Sequence, residues 1–156
     1  MIAVKVKGVV LDAQQNPLLL LVDMDETMVL PIGIGFWEAQ AIVLKLQGQI
    51  PPRPMTHDLI KSLCAALGAT VHKIVVSDIK DNTYYAEIHM STGRGRQLIV
   101  DSRPSDAVAL ALTVGCPIYI SSKVAAYTIS IKDLLEEADT ETSLYGDPDD
   151  SGPHLH

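Results

Sequence analysis

Twice along this chain, three short strand-like runs joined by tight turns give way to a helical stretch, an order that regular βαβ repetition does not produce. The first set spans residues 2–11, 18–22 and 28–32, followed by a helix over 36–47. In its opening run Ile2, Val4 and Val6 alternate with Ala3, Lys5 and Lys7, the two-residue period of a strand with one basic face. Gln14-Gln15-Asn16-Pro17 supplies turn chemistry, and Ala39, Ile42, Val43 and Leu46 fall at helical spacing before Gly48. The second set spans 71–79, 83–91 and 96–100, with turns at 80–82 and 92–95, and leads into a small-residue helix over 107–114 that ends at Gly115. Between the sets, the proline-rich stretch 50–54 approaches a helix over about 57–67, with Thr56 as N-cap and Gly68 just past the end. A strand over 117–121 and a short amphipathic helix over 131–138 complete the pattern. The order predicts an α+β fold with a mixed, largely antiparallel sheet and three to four helices. It also suggests a duplicated meander-plus-helix unit, although no fixed period is visible.

The chain has 156 residues, enough for one domain with a proper core. We expect that domain over 1–135 and a disordered, acidic tail over 139–156. The net charge of −7 argues at first against a polyanionic partner, but its distribution alters that reading. Residues 1–132 carry 11 acids against 12 bases, so the acidity belongs to the C-terminal end and local patches decide what the domain attracts. The start of the chain alternates instead of running basic then apolar, and the most apolar stretch, 18–22, is too short to span a bilayer. A cytoplasmic protein without membrane contact is expected. Cys64 and Cys116 sit among apolar residues and show neither disulfide nor zinc spacing. Gly93-Arg94-Gly95 lacks the helix and Lys-Ser/Thr of a nucleotide phosphate loop, and no serine nucleophile elbow is present.

Two segments stand out for chemistry. Arg53-Pro54-Met55-Thr56-His57-Asp58 and Asp101-Ser102-Arg103-Pro104-Ser105-Asp106 each set a fixed cation and a carboxylate around a helix N-terminus, where unpaired N–H groups favour anions. The paired layout predicts that they share one concave site. These segments, with 29–35 leading to Glu38-Ala39 and the pair Tyr84-Tyr85 before Ala86, resemble the bacterial bifunctional nuclease domain family. The resemblance covers about residues 1–135, with Ser102 where the family motif has Ala and Tyr84 where it often has Phe. It implies a compact α+β domain that cleaves phosphodiester bonds in both DNA and RNA, with nucleic acid as partner.

Hydrolysis of a phosphodiester needs an activated water, neutralised phosphoryl oxygens and a protonated or metal-bound leaving oxygen. Arg53 and Arg103 match phosphate geometry, and His57 is the natural proton carrier. The catalytic candidates are therefore His57, Asp106, Arg103 and Arg53. Asp58, Asp101 and Asp106 are candidate ligands of a divalent cation, Mg²⁺ or Mn²⁺, with Glu38 a more distant fourth. Arg53, Arg103 and Tyr84 are candidate nucleic-acid contacts. The same residues also read as structure: Arg103 beside Asp101 or Asp106 is what an ion pair looks like, and an aspartate in a first helical turn is ordinary dipole chemistry. Trp37, Tyr84 and Tyr85 offer faces on which bases could stack, and at an aromatic content of 4% they read more readily as core or interface residues. Three functions stay open on the residues alone: a nuclease, a non-catalytic module that binds nucleic acid or an anion, and a structural domain that forms a homodimer or higher homo-oligomer.

Overall fold

The computed structural model describes residues 1–136; the expected acidic tail over 139–156 lies outside them. The first meander is β1 (Ile2–Leu11), β2 (Pro17–Asp23) and β3 (Met28–Gly33), and the second is β4 (Thr70–Lys80), β5 (Thr83–Ser91) and β6 (Gln97–Ser102). Two helices, α1 (Phe36–Leu46) and α2 (Thr56–Ala66), separate the meanders, and α3 (Pro104–Val114) follows the second. A strand β7 (Ile118–Ile120), a short helix α4 (Ser122–Ala125), a strand β8 (Ile129–Ser130) and helical residues 131–136 complete the described chain. The fold is therefore α+β as expected, with one helix more than the expected three to four.

All eight strands belong to one sheet in the order β6-β5-β4-β7-β1-β2-β3-β8. Strand β7 joins the two meanders, antiparallel to β1 and parallel to β4, with Ile118 opposite both Val4 and Ile74. Every other pairing is antiparallel. The β4–β5 hairpin closes on Asp81 and Asn82, whose φ values of 50° and 62° are those of a type I′ turn. Alternate residues Val4, Leu19, Leu21, Leu30, Ile32, Ile74, Val76, Ile118 and Ile120 share one core with Ile42, Ala107, Val108 and Ala111 from the helices. Helix α3 touches α1, α2, β4 and β5, which makes it the central helix. Its small side chains suit that place: Ala107, Val108, Ala109, Leu110 and Ala111 are all buried, so backbones approach closely.

Helix α3 starts three residues earlier than expected, at Pro104, because proline presets the helical φ and its missing N–H falls at a position with no intrahelical acceptor. Strand β6 then reaches Ser102, so Arg103 alone links strand to helix and Asp101 is a strand residue. In α2 the N-cap is Met55 rather than Thr56, and its N–H is satisfied by Asp58 Oδ2 at 2.9 Å. Helix α2 has no buried residue; His57, Ile60 and Cys64 are half-buried, whereas Leu59 and Leu63 are exposed. No helix among the described residues is long and apolar enough to cross a membrane.

Candidate functional site

Because β6 runs straight into a helix fixed at the centre of the fold, Arg103 leaves the sheet at a constrained point. Its Nε donates to Asp106 Oδ2 at 2.7 Å, and one terminal nitrogen donates to Glu38 Oε1 at 3.0 Å. The other carboxylate oxygen of Asp106 lies 3.3 Å from His57 Nε2. Glu38, His57 and Asp106 stand in the first turns of α1, α2 and α3, so three helix N-termini bring one continuous array together: Glu38, Arg103, Asp106, His57. Burial works to raise the Asp106 pKa, but the Arg103 hydrogen bond and charge, and then His57, outweigh it and hold the carboxyl below its ordinary value. Arg103 is held more firmly charged by Asp106 and, next, Glu38. The guanidinium is 64% exposed and the imidazole only 11%, so the cation meets solvent while the ring is mostly enclosed. Two guanidinium N–H groups are committed to carboxylates; the others remain open to a bound oxyanion.

Beside Arg103 opens a cleft of about 590 Å³, lined among others by Asn16, Gly33, Asn82, Tyr84 and Ser105. Its size is that of a small-ligand site. Tyr84 packs its ring partly against the core, and burial, with a smaller effect of Tyr127, pushes its hydroxyl pKa up. Gly35, the N-cap of α1, also lines the cleft. A Cβ on Gly35 would stand 2.1 Å from Glu38 Oε2, so the absence of a side chain there is what lets Glu38 fold back toward its own helix start.

The remaining expected site residues lie apart. Arg53 was expected with the catalytic group but lines a second cleft, together with Lys45 and Asp58. Asp58 hydrogen-bonds Lys45, which together with the Met55 N–H holds its pKa low. Asp101 is paired in register with Glu87 across β5 and β6. Asp58, Asp101 and Asp106 are thus not gathered, and among the described residues no three His, Cys, Asp or Glu side chains form a group that could hold a metal ion. The donor set expected for a divalent cation does not fit, because a guanidinium already occupies the space between Glu38 and Asp106.

Sequence reasoning placed Glu38 as a more distant fourth candidate, whereas its carboxylate is hydrogen-bonded to Arg103; of the readings open for Trp37, base stacking, core and interface, its exposure excludes the core one. Trp37 is 76% exposed in the first turn of α1, edge-on to Phe36 at 5.4 Å. Two adjacent aromatic residues before Glu38 were the visible signal, since the core-facing stripe of a helix recurs at three and four residues, not at neighbouring positions.

An α+β domain that focuses one exposed guanidinium, two carboxylates and an imidazole at helix N-termini is of the class that can bind and act on oxyanions. The bifunctional nuclease domain matches residues 19–132, most of the chain, and the protein belongs to that family. Two uncharacterized proteins of Mycobacterium tuberculosis, from two strains, are each 45% identical to it over 124 residues, covering 79% of this chain and 73% of theirs. Bifunctional nuclease 1 of rice, Oryza sativa, is 22% identical over 115 residues, 72% of this chain but 35% of the rice protein. The chain therefore spans about a third of that relative.

Proposed function

We propose that this protein is a nuclease that hydrolyses phosphodiester bonds in both DNA and RNA at the Glu38–Arg103–Asp106–His57 array. The observation that carries the reading is the meeting of His57 with the Asp106–Arg103 pair, in a chain of this family. Arg103 offers its free N–H groups to the phosphoryl oxygens and offsets the charge that grows there in the transition state. With Nε2–H donating to Asp106, His57 keeps its lone pair on Nδ1, which takes the proton of an attacking water. The water oxygen bonds to phosphorus, the bond from phosphorus to the leaving sugar oxygen breaks, and the imidazolium returns the proton to that oxygen. Asp106 orients the ring and stabilises its charged form. Water as nucleophile makes the sugar 2′-OH unnecessary, which suits one site to DNA and RNA alike. Tyr84 in the adjoining cleft, and Trp37 outside it, offer faces for unpaired bases.

A Mg²⁺ or Mn²⁺ ion enters this proposal only as one that arrives on the substrate's phosphates. The test is cleavage of labelled single-stranded DNA and RNA by protein purified free of host nuclease, with and without EDTA. The account expects both to be cut and EDTA to leave substantial turnover. No cleavage under any condition would favour the alternative, a binding module, which needs the uncommitted N–H groups of Arg103 but no proton transfer. A cytoplasmic location belongs to the same proposal. So does self-association as a homodimer or larger homo-oligomer, supported by the exposed Leu59 and Leu63 on α2, and sedimentation at rising concentration reads it.

Gly35 follows as a positioning residue. Gly35→Ala keeps an allowed backbone, since φ is −73° and ψ 160°, but drives the Glu38 carboxylate off its seat beside Arg103. Turnover is expected to fall about tenfold, or ~1.4 kcal/mol, with little change in melting temperature. In a Glu38→Ala background the same change should have no further effect; an equal loss there would show that Gly35 acts by another route.

A further inference from the structure

Most cations of the described chain have a carboxylate or aromatic partner. Lys5 and Lys7 meet Glu26, Lys80 and Lys123 meet Asp78, Lys73 lies over Tyr119, and Arg103 is held by Asp106 and Glu38. Of the others, Arg94 and Arg96 line neither of the two clefts, whereas Arg53 and Lys61, also without such a partner among the described residues, both line the same cleft of about 510 Å³ between the end of α1, the 50–54 segment and α2. Lys45 adds a third cation there, and the single carboxylate, Asp58, is already neutralised by it. The hydroxyls of Ser62 and Thr113 complete a polar wall. Two cations without a carboxylate partner, lining one concavity with a third, give it a positive charge that suits an anion.

The position of this cleft relates it to the array. Asp58, Lys61, Ser62 and Ala65 lie on one face of α2, at spacings of three and four residues. His57, one residue before Asp58, turns instead toward α3 and Asp106. Consecutive residues of the first turn of α2 are thus divided, His57 to the array and Asp58 to the second cleft.

We propose that the Arg53–Lys61 cleft is a second phosphate subsite, which holds the backbone of a polynucleotide at a phosphate other than the one being cleaved. The proposal rests on the nuclease reading for its substrate, and it makes that substrate a polymer rather than a mononucleotide or dinucleotide. Single strands fit best, because a flexible backbone can bend around a helix end from one cleft into the next.

The test compares wild type with the double variant Arg53→Glu, Lys61→Glu, using fluorescence anisotropy with a 12-nucleotide single strand and turnover of a small diester, bis(p-nitrophenyl) phosphate. Both side chains are exposed and unpaired, so the variant should keep the wild-type melting temperature. Affinity for the 12-mer should fall roughly tenfold at low salt, and the slope of log K against log salt by about 0.7 for each cation removed. Turnover of the small diester should stay unchanged, since it reaches the Arg103 cleft only. Unchanged 12-mer affinity and salt slope would overturn the subsite. So would an equal loss on the small diester, which would show one shared site. If wild type cleaves nothing, the nuclease reading fails alone: the anisotropy arm still supports or overturns the subsite on binding.

Discussion

Arg103→Ala is expected to lower turnover about 10²- to 10³-fold while leaving the melting temperature nearly unchanged. The two effects separate because they depend on different surroundings of one side chain. In the free protein the guanidinium is 64% exposed, and an ion pair in such a setting contributes about 1 kcal/mol or less to stability. In the complex, the same group meets the oxygens on which charge develops, away from bulk water, and its loss is felt in the transition state. Removing it also leaves Glu38 and Asp106 as carboxylates without the cation that bridges them, so the negative charge that a phosphate meets doubles. Arg103→Lys should recover only part of the loss, since an ammonium cannot hold Asp106, Glu38 and a phosphate in one plane. A fall in activity that tracks a fall in folded fraction would instead assign Arg103 a purely structural role.

His57→Gln carries the second large effect, a drop in kcat of about 10²- to 10⁴-fold with KM little changed. Glutamine retains a donor for Asp106 Oδ1, so the mostly enclosed position stays filled and hydrogen-bonded. What it cannot do is take and return a proton. Unchanged kcat in the folded His57→Gln variant would remove the imidazole from the proton transfer.

Much of the fold was legible in the sequence, and the reason is local. Alternation marked β1, apolar runs between turns marked β2 to β6 to within two residues, and the 80–82 turn and Gly115 marked the end of a hairpin and a helix. What joins the two meanders was not legible: β7 is three residues long, and its parallel pairing with β4 depends on contacts about forty residues apart in sequence. The site divides in the same way. The Arg103–Asp106 pair is three residues apart and could be seen directly. Glu38 and His57 arrive from 65 and 49 residues away, and only the packing of α1 and α2 on α3 brings them there. The parallel between the two Arg-Pro segments misled for a related reason. Helix α3 is buried along its length, so its entry point is fixed against other elements, whereas α2 buries no residue and its Arg53 faces a separate cleft.

The most direct test of the array as a catalytic unit is turnover per folded molecule in Asp106→Asn, with folded fraction measured on the same sample. The amide keeps the size of the carboxylate, but its NH₂ can face His57 Nε2. The ring then accepts at Nε2 and carries its proton on Nδ1, where the base is needed. The account predicts specific turnover reduced about 10²- to 10⁴-fold on DNA and RNA, with binding of the single strand largely retained. Unchanged specific turnover in the folded variant would contradict it.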